Sequence, residues 1–565
     1  MSRIPILLLI IYSLFSIEAT CQTLNLKITG KDSLENKVID SIKYVKQHKD
    51  YESVSKEVSE FKSKLNTIGY IESVMSAIQR ENDSSLVVNM NLNRKFEYIN
   101  IYFNDSLLPR KIIQLVSNKI TDRYFTIAIQ NTEKTLNTIN LKLSELGDPF
   151  STLKLSNIKI KNNSEIDATL ILSDKIMIRH IDKIVVKGYE KFPKSYLKYY
   201  LKIKEGDIFN LSEIKNQSKS LSELPFANQI KDPEILFSKD STTVYLYIDK
   251  SRSNNFDGFI GFGTNEETNN IEFSGYLNLE LINNLNYGES FRLIYKSDEN
   301  EQKTFNVKLN LPYIFGTPLG TELELGLLKR DSSYSTSNQN AKLFYQLNPR
   351  NKVFAGVRSI QSNNLLDSIY RDPLIKDFKT LFYNVRYQYK KRQKESVLFS
   401  TTSLLDFQVE TGSRDYENTS TKQYQYYFDT FHIFHLNLKN SIYFRVNSYG
   451  LFSDTYLENE LIRFGGINSI RGFEENSLSA TLYGLFNTEY RYMFNNSIYV
   501  HTIIDVAYFE NKITEQKEKL YGFGFGFGLI TKAGLLKFNF ANGKTENQSF
   551  KFSNSQVHLS LTAFF

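Results

Sequence analysis

The sequence predicts α+β repeats of β-α-α-β-β form followed by a transmembrane antiparallel β-barrel of about sixteen strands. Three observations carry this reading. Helix-breaking landmarks recur through the first half at constant spacing. From about Ser251 helical periodicity gives way to alternating segments separated by turn residues. The chain ends on an aromatic strand whose apolar residues share one face.

Composition sets the frame. The chain has 565 residues, with 42 Phe, 36 Tyr and no Trp, and a net charge of +7 spread along its length. Mean hydropathy is −0.36, and no internal run reaches the ~18 apolar residues of a membrane helix. Aromatic richness without such runs fits strands that alternate. No dense basic cluster with interleaved aromatics occurs, so nucleic acid is not an expected partner.

Residues 1–21 read as an export signal. Arg3 is the charged start and Ile4 to Ile17 the apolar core. Ala19-Thr20-Cys21 forms a small-residue cleavage site that would leave Gln22 first. Cys21 is the only cysteine, so cleavage after it excludes disulfides. Lipidation of Cys21 is the alternative, although Glu18 stands where a lipoprotein signal usually has Leu.

The repeats come next. Gly69, Gly147 and Pro225 each close a helical pattern, and 147 − 69 = 78, as does 225 − 147. A fixed period of this length marks copies of one supersecondary unit. Val54, Val58, Phe61, Leu65 and Ile68 share one helix face, as do Ile129, Thr132, Leu136, Ile139 and Leu143. In the third copy Asn210 precedes Glu213 at capping-box spacing. An earlier, shorter helix is expected around Val38, Ile42 and Val45, then Ile112, Ile113 and Leu115, then Leu197, Tyr200 and Leu201. Strand-like runs follow each breaker: Tyr70–Ala77 with Ser85–Asn91, Thr152–Ile160 with Glu165–Leu172, and Gln229–Phe237 with Thr243–Ile248. A strand precedes the helices, clearest at Tyr98–Phe103 and Asp182–Val186. The expected units are 22–95, 96–174 and 175–250. Their strand-helix-helix-strand-strand order resembles the POTRA domain, a periplasmic module that chaperones or docks extended polypeptide. The bland alternative is a spacer that carries no client.

Residues 251–565 read as the barrel. Phe305, Val307, Leu309 and Leu311 oppose Asn306, Lys308 and Asn310; Leu323, Leu325 and Leu327 oppose Glu322, Glu324 and Gly326. One apolar and one charged face suit a strand between lipid and a polar lumen. Tyr521 to Gly528 alternates aromatic and Gly, and is read as a strand with Phe outward. Its inward Gly row leaves room for something inside the barrel. Val557, Leu559, Leu561, Ala563 and Phe565 share the last strand's outer face. Leu559, Leu561 and Phe565 resemble the terminal signal by which outer-membrane barrels are recognised for assembly.

One stretch, Phe464-Gly465-Gly466-Ile467-Asn468-Ser469-Ile470-Arg471-Gly472-Phe473, is too Gly-rich for a strand. It is expected to lie in an inward loop, 455–478, with Arg471 at its tip. In the strands that follow, Glu489 and Arg491 share one face, and His501 and Asp505 face inward. A charge folded into a lumen needs such partners. His501 and Asp505 are read as a luminal polar pair.

These residues resemble the BamA/TamA superfamily of outer-membrane assembly and translocation barrels. The resemblance rests on the repeats, the barrel length, the terminal Phe and Ile470-Arg471-Gly472-Phe473. Glu489 matches the family's acidic position. The Phe-x-Asp-x-Gly strand motif survives only in part, as Ile503-Ile504-Asp505-Val506-Ala507. Gly465, Gly466, Arg471, Gly472 and Phe473 are read as the functional loop, and the resemblance implies that the loop enters the lumen and that Glu489 and Asp505 pair with Arg471. It implies a non-enzymatic outer-membrane protein with its repeats in the periplasm. Its partners would be unfolded outer-membrane or secreted clients, outer-membrane lipid and possible accessory subunits. It also implies a seam between the strand near Gly258–Thr264 and the last strand. The alternatives are a dedicated two-partner-type secretion pore, which usually carries two such repeats, and a passive porin. No cofactor or metal is expected: His432 and His435 point to opposite strand faces, and no P-loop, His-Glu-x-x-His or Gly-x-Ser-x-Gly motif occurs.

Overall fold

A computed structural model describes residues 23–104, 108–173, 177–264, 271–297, 302–330, 332–366, 373–393, 396, 398–532, 534–547, 551–552 and 555–564. The signal segment with Cys21 and the terminal Phe565 lie outside the described residues. The chain divides into two compact units. The first runs to Arg179, with Ile208–Leu211 grouped to it, and the second holds the remainder.

In the first unit, Leu24–Gly30 pairs in parallel with Ser85–Asn91, under helices Ser33–Ser41 and Tyr51–Thr67. The longer helix begins where Asp50 caps the Ser53 amide and the Ser53 hydroxyl faces back, a reciprocal capping pair. Val54, Val58, Phe61 and Leu65 are buried, as their spacing requires. The helix stops because Gly69 adopts φ +108°, and a Cβ there would sit 2.1 Å from the Phe96 carbonyl oxygen. The run Tyr70–Ala77 yields only the short strand Val74–Met75, because a turn closed by the Ser73 amide on the Tyr70 carbonyl occupies its start.

The second copy departs from the expected unit. Between its four-residue helix Arg110–Ile113 and helix Thr132–Glu145 it inserts a hairpin, Lys119–Ile120 with Tyr124–Ala128. Tyr124–Ala128 pairs antiparallel with Tyr98–Tyr102, giving a five-stranded sheet. Alternation explains it: Phe125 and Ile127 are buried, while the Thr126 hydroxyl donates to Asn100 Oδ1 at 2.7 Å.

In the second unit the third copy has Lys183–Gly188 beside Thr242–Lys250, which pairs with Ala227–Phe237. Its first helix is a π-turn, Tyr196–Tyr200, followed by helix Leu211–Lys219. The wider turn buries Tyr196 with Tyr200 and Leu201, where Leu197 was expected to face inward.

The barrel closes from sixteen antiparallel strands. Alternation holds: Leu323, Leu325, Leu327, Val557, Leu559 and Leu561 are exposed on the outside. Glu322, Asn340, Lys342 and Glu410 are buried on the inside. Most strands exceed the roughly ten residues the pattern suggested, the tenth running 17 residues from Thr419 to His435. The first strand, Asn255–Thr264, and the last, Ser555–Phe564, meet through Asn255 with Phe564 and Phe256 with Ala563 among the described residues. The first strand pairs with the second along its whole length, from Asn255 with Glu280 to Thr264 with Ile271.

Candidate functional site: the luminal loop

The eleventh strand ends at Ser453 and the twelfth, Leu482–Asn495, begins after the loop. Because the first strand leaves from the third repeat, this connection lies at the opposite end of the barrel. The loop carries its own hairpin, Ile462–Phe464 with Leu478–Ala480. Gly465 and Gly466 then reverse the chain at φ +116° and +93°, which L side chains resist. The Gly466 amide donates to the Ile470 carbonyl at 3.2 Å, forming a tight tip. Ile470 is fully buried and packs in an apolar cluster with Phe464, Tyr483, Ala507, Phe509 and Leu520. The departures from the strand motif fit this packing: Ile503 and Ala507 are both buried on the luminal side with Asp505.

Arg471 follows, and its guanidinium is buried between two acids. Nε donates to Asp505 Oδ2 at 2.8 Å and Nη2 to Asp505 Oδ1 at 2.5 Å, a bidentate fork. The Arg471 backbone amide also donates to Asp505 Oδ2 at 3.0 Å. Nη1 donates to Glu489 Oε1. Glu489 is shared, because Arg491 donates to its other oxygen from Nε at 2.8 Å and Nη2 at 2.7 Å. Arg491 itself lies 4.2 Å from the Tyr443 ring centre and 4.4 Å from that of Phe399. An arginine cannot lose its proton here and supplies donors only, so the cluster is a lock rather than a proton-transfer centre.

The wall is shaped to receive this tip. A Cβ on Gly522 would lie 2.3 Å from the Arg471 carbonyl oxygen. On Gly543 it would lie 2.4 Å from the Gly472 carbonyl oxygen and 2.8 Å from the Phe473 ring. Gly472, at φ +90°, is pressed equally close to Asn542. Of the Gly row that looked like space for something, Gly522 meets the loop backbone, while Gly526 and Gly528 meet the luminal side chains of His501, Asn539 and Tyr499. His501 does not pair with Asp505: Arg471 occupies that carboxylate, and His501 Nε2 meets Asn539 Oδ1 at 2.9 Å.

The sequence reading missed further tethers. Arg445 Nη1 donates to the Asn468 carbonyl at 2.7 Å, and Asn487 Nδ2 to the Ser469 carbonyl at 3.0 Å. Arg414 grips the Thr455 carbonyl at 3.2 Å and Glu460. Lys296, on the third strand, stands 3.7 Å from Glu475. The loop is thus fastened to both sides of the lumen. The only sequence signal for these was an inward cation, or at Asn487 an inward amide, in the strand alternation. Leu559 and Leu561 face outward. Among the described residues, no three His, Cys, Asp or Glu side chains converge to hold a metal ion.

Residues 180–250 match the protein-family model described as POTRA, surface antigen variable number repeat. The chain carries a POTRA repeat. Solved structures match the POTRA repeat and barrel together. BamA from Haemophilus ducreyi lacking POTRA domains 1-3 is 14% identical, covering 83% of this chain and 100% of its own, with TM-score 0.50. CdiB from Acinetobacter baumannii is 17% identical over 83% of this chain and 90% of its own, with TM-score 0.53. CdiB from Escherichia coli is 12% identical over 90% and 98%, also with TM-score 0.53. No curated protein sequence matches the chain. The POTRA match and the shared fold both support the BamA/TamA resemblance seen in the sequence.

Proposed function

We propose that this chain is a non-enzymatic outer-membrane barrel that inserts or translocates unfolded protein clients. POTRA repeats at 22–95, 96–174 and 175–250 would receive them in the periplasm, and the barrel from 251 would pass them through its lateral seam. The observation that carries the reading is the contrast between lumen and seam. The lumen is crossed by a loop fastened at Arg414, Arg445, Arg471 and Lys296. Among the described residues the seam is closed by a short ladder at Asn255 and Phe256, backed by a Thr562 hydroxyl 3.4 Å from Asp257. Backbone pairing is what holds barrel strands together, so the shortest ladder is the cheapest to open. A passive porin needs an unobstructed lumen, and the fastened loop argues against it.

A dedicated secretion pore is the second reading, favoured by the likeness to CdiB over most of both chains. Depletion followed by an outer-membrane and secreted proteome separates the two. Loss of many barrels supports assembly, and loss of one secreted protein supports the pore. If neither changes, the proposal is wrong.

A further inference from the structure

The rim of the lumen nearest the POTRA repeat holds cations without acids to match. Arg292 is the third residue of the third strand, Lys352 the second of the seventh, and Lys390 and Arg392 close the eighth. Register places them inside. Arg292 lies opposite Glu280 and Lys308, and Lys308 reaches the buried luminal Glu322 at 3.0 Å. Lys352 lies opposite Gln388, whose amide donates to Asp406 at 3.0 Å. Lys390 and Arg392 share the face of Gln388 by alternation. Arg392, Lys352 and Arg292 are all within electrostatic reach of Lys390, with Glu280 as the opposing acid.

Deeper cations differ. Arg386, Lys308 and Lys342 converge on Glu322, and Arg386 also holds Asp406. None of the four rim cations has a carboxylate at ion-pair distance among the described residues, and Glu280 is taken by Asn255 Nδ2 at 2.8 Å. Lys390 and Arg292 remain exposed to lumen water. Leu398 and Phe399, in the segment that follows the eighth strand, pack on Tyr499 of the thirteenth.

A carboxylate already sits on this rim. Glu223 of the POTRA repeat accepts from Arg350 Nε at 2.8 Å and from the Arg392 backbone amide at 2.8 Å. The rim thus offers donors to an acid arriving from the repeat.

We infer that Arg292, Lys352, Lys390 and Arg392 form a receiving site for an acidic polypeptide segment entering the lumen from the POTRA side. The inference rests on the proposed function and names the chemistry of the client. Polypeptide is favoured over lipid because the cations line the inside of a closed wall, away from the apolar exterior.

The test uses the full chain purified in non-ionic detergent, with fluorescein-labelled hexaglutamate as probe and anisotropy as readout. The probe should bind, with affinity falling as salt rises, and hexalysine should not bind. The Lys352→Gln/Lys390→Gln pair should bind about tenfold more weakly. Lys390→Gln alone, at an exposed position, should weaken binding about threefold, and Arg292→Lys should bind as the parent does. Unchanged affinity in the folded double variant, or equal binding of hexalysine, overturns the inference. So does displacement of the probe by micelles containing phosphatidylglycerol, which would make the rim a lipid site. The readout is independent of client assembly, so its failure leaves the depletion experiment to decide the proposed function.

Discussion

Arg471→Ala should act mainly through Asp505, and the structure says by how much. Asp505 is fully buried, and Arg471 supplies its two side-chain donors, at 2.8 and 2.5 Å. After truncation it keeps only the residue-471 amide at 3.0 Å. Breaking a buried pair on one side costs about 3–5 kcal/mol, because a charge is left uncompensated. Glu489 loses one donor but retains both from Arg491, at 2.8 and 2.7 Å. Its share should be about 1.5 kcal/mol, the low end for a hydrogen bond to a charged group, because Arg491 still neutralises it. A double-mutant cycle measures this directly. The purified barrel would be unfolded in urea in parent, Arg471→Ala, Asp505→Asn, Glu489→Gln and the two paired variants. The Arg471–Asp505 coupling should exceed the Arg471–Glu489 coupling by about 2 kcal/mol. Arg471→Lys should recover part of the first coupling, since an ammonium lacks the planar fork. Equal couplings, or a larger one to Glu489, would refute the reasoning. The barrel should still form in every variant, because strand ladders do not pass through the loop, and a cold gel checks this.

Gly472→Ala should loosen the loop by about 1–2 kcal/mol, since the residue sits at φ +90° against Asn542; faster protease cleavage within 465–477 is the readout. Phe256→Cys with Ala563→Cys, which are register partners, should form a disulfide that blocks client assembly until reduced; full assembly in the locked form would exclude lateral opening. Deleting Phe565 should reduce heat-modifiable barrel on a cold gel, and an unchanged band would remove the terminal aromatic from the assembly signal. The Ser53 amide holds the Asp50 carboxyl below its ordinary value of 3.8. The unfolded helix therefore binds that proton more tightly, and the cap's contribution is full above pH 4 to 5 and fades as pH falls below it. Amide protection factors at Tyr51–Val54, corrected for the intrinsic pH dependence of exchange, should fall on acidification in the parent, and Asp50→Asn should remove that dependence.

Much of this architecture was written in local patterns. The period of 3.6 at Val54, Val58, Phe61 and Leu65 and the period of two at Leu323, Leu325 and Leu327 each name an element and its buried or lipid-facing side. Gly465, Gly466 and Gly472 mark a chain reversal, and Arg471 with Glu489 and Asp505 could be grouped because each strand's alternation says which residues face inward. The inserted hairpin at Lys119–Ala128 was legible in principle, since Phe125 and Ile127 alternate. It was missed because five residues are too few to stand out beside a strong helical repeat.

What the sequence alone determined, then, is everything set by neighbours along the chain: repeat period, helix caps, strand faces, the loop's turns and the identity of its charge. Only the tertiary structure decided which groups meet across the lumen. Asp505 could have faced His501 or Arg471, and Glu489 could have served one arginine or two. The inward glycines could have lined empty space or, as found at Gly522 and at Gly543 on the next strand, the loop backbone. These choices depend on closure of sixteen strands into one wall, which brings together residues up to some three hundred positions apart, as at Thr562 and Asp257. No local propensity encodes such a distance, because the energy that selects the partner appears only when the lumen has formed and an unpaired charge inside it becomes costly.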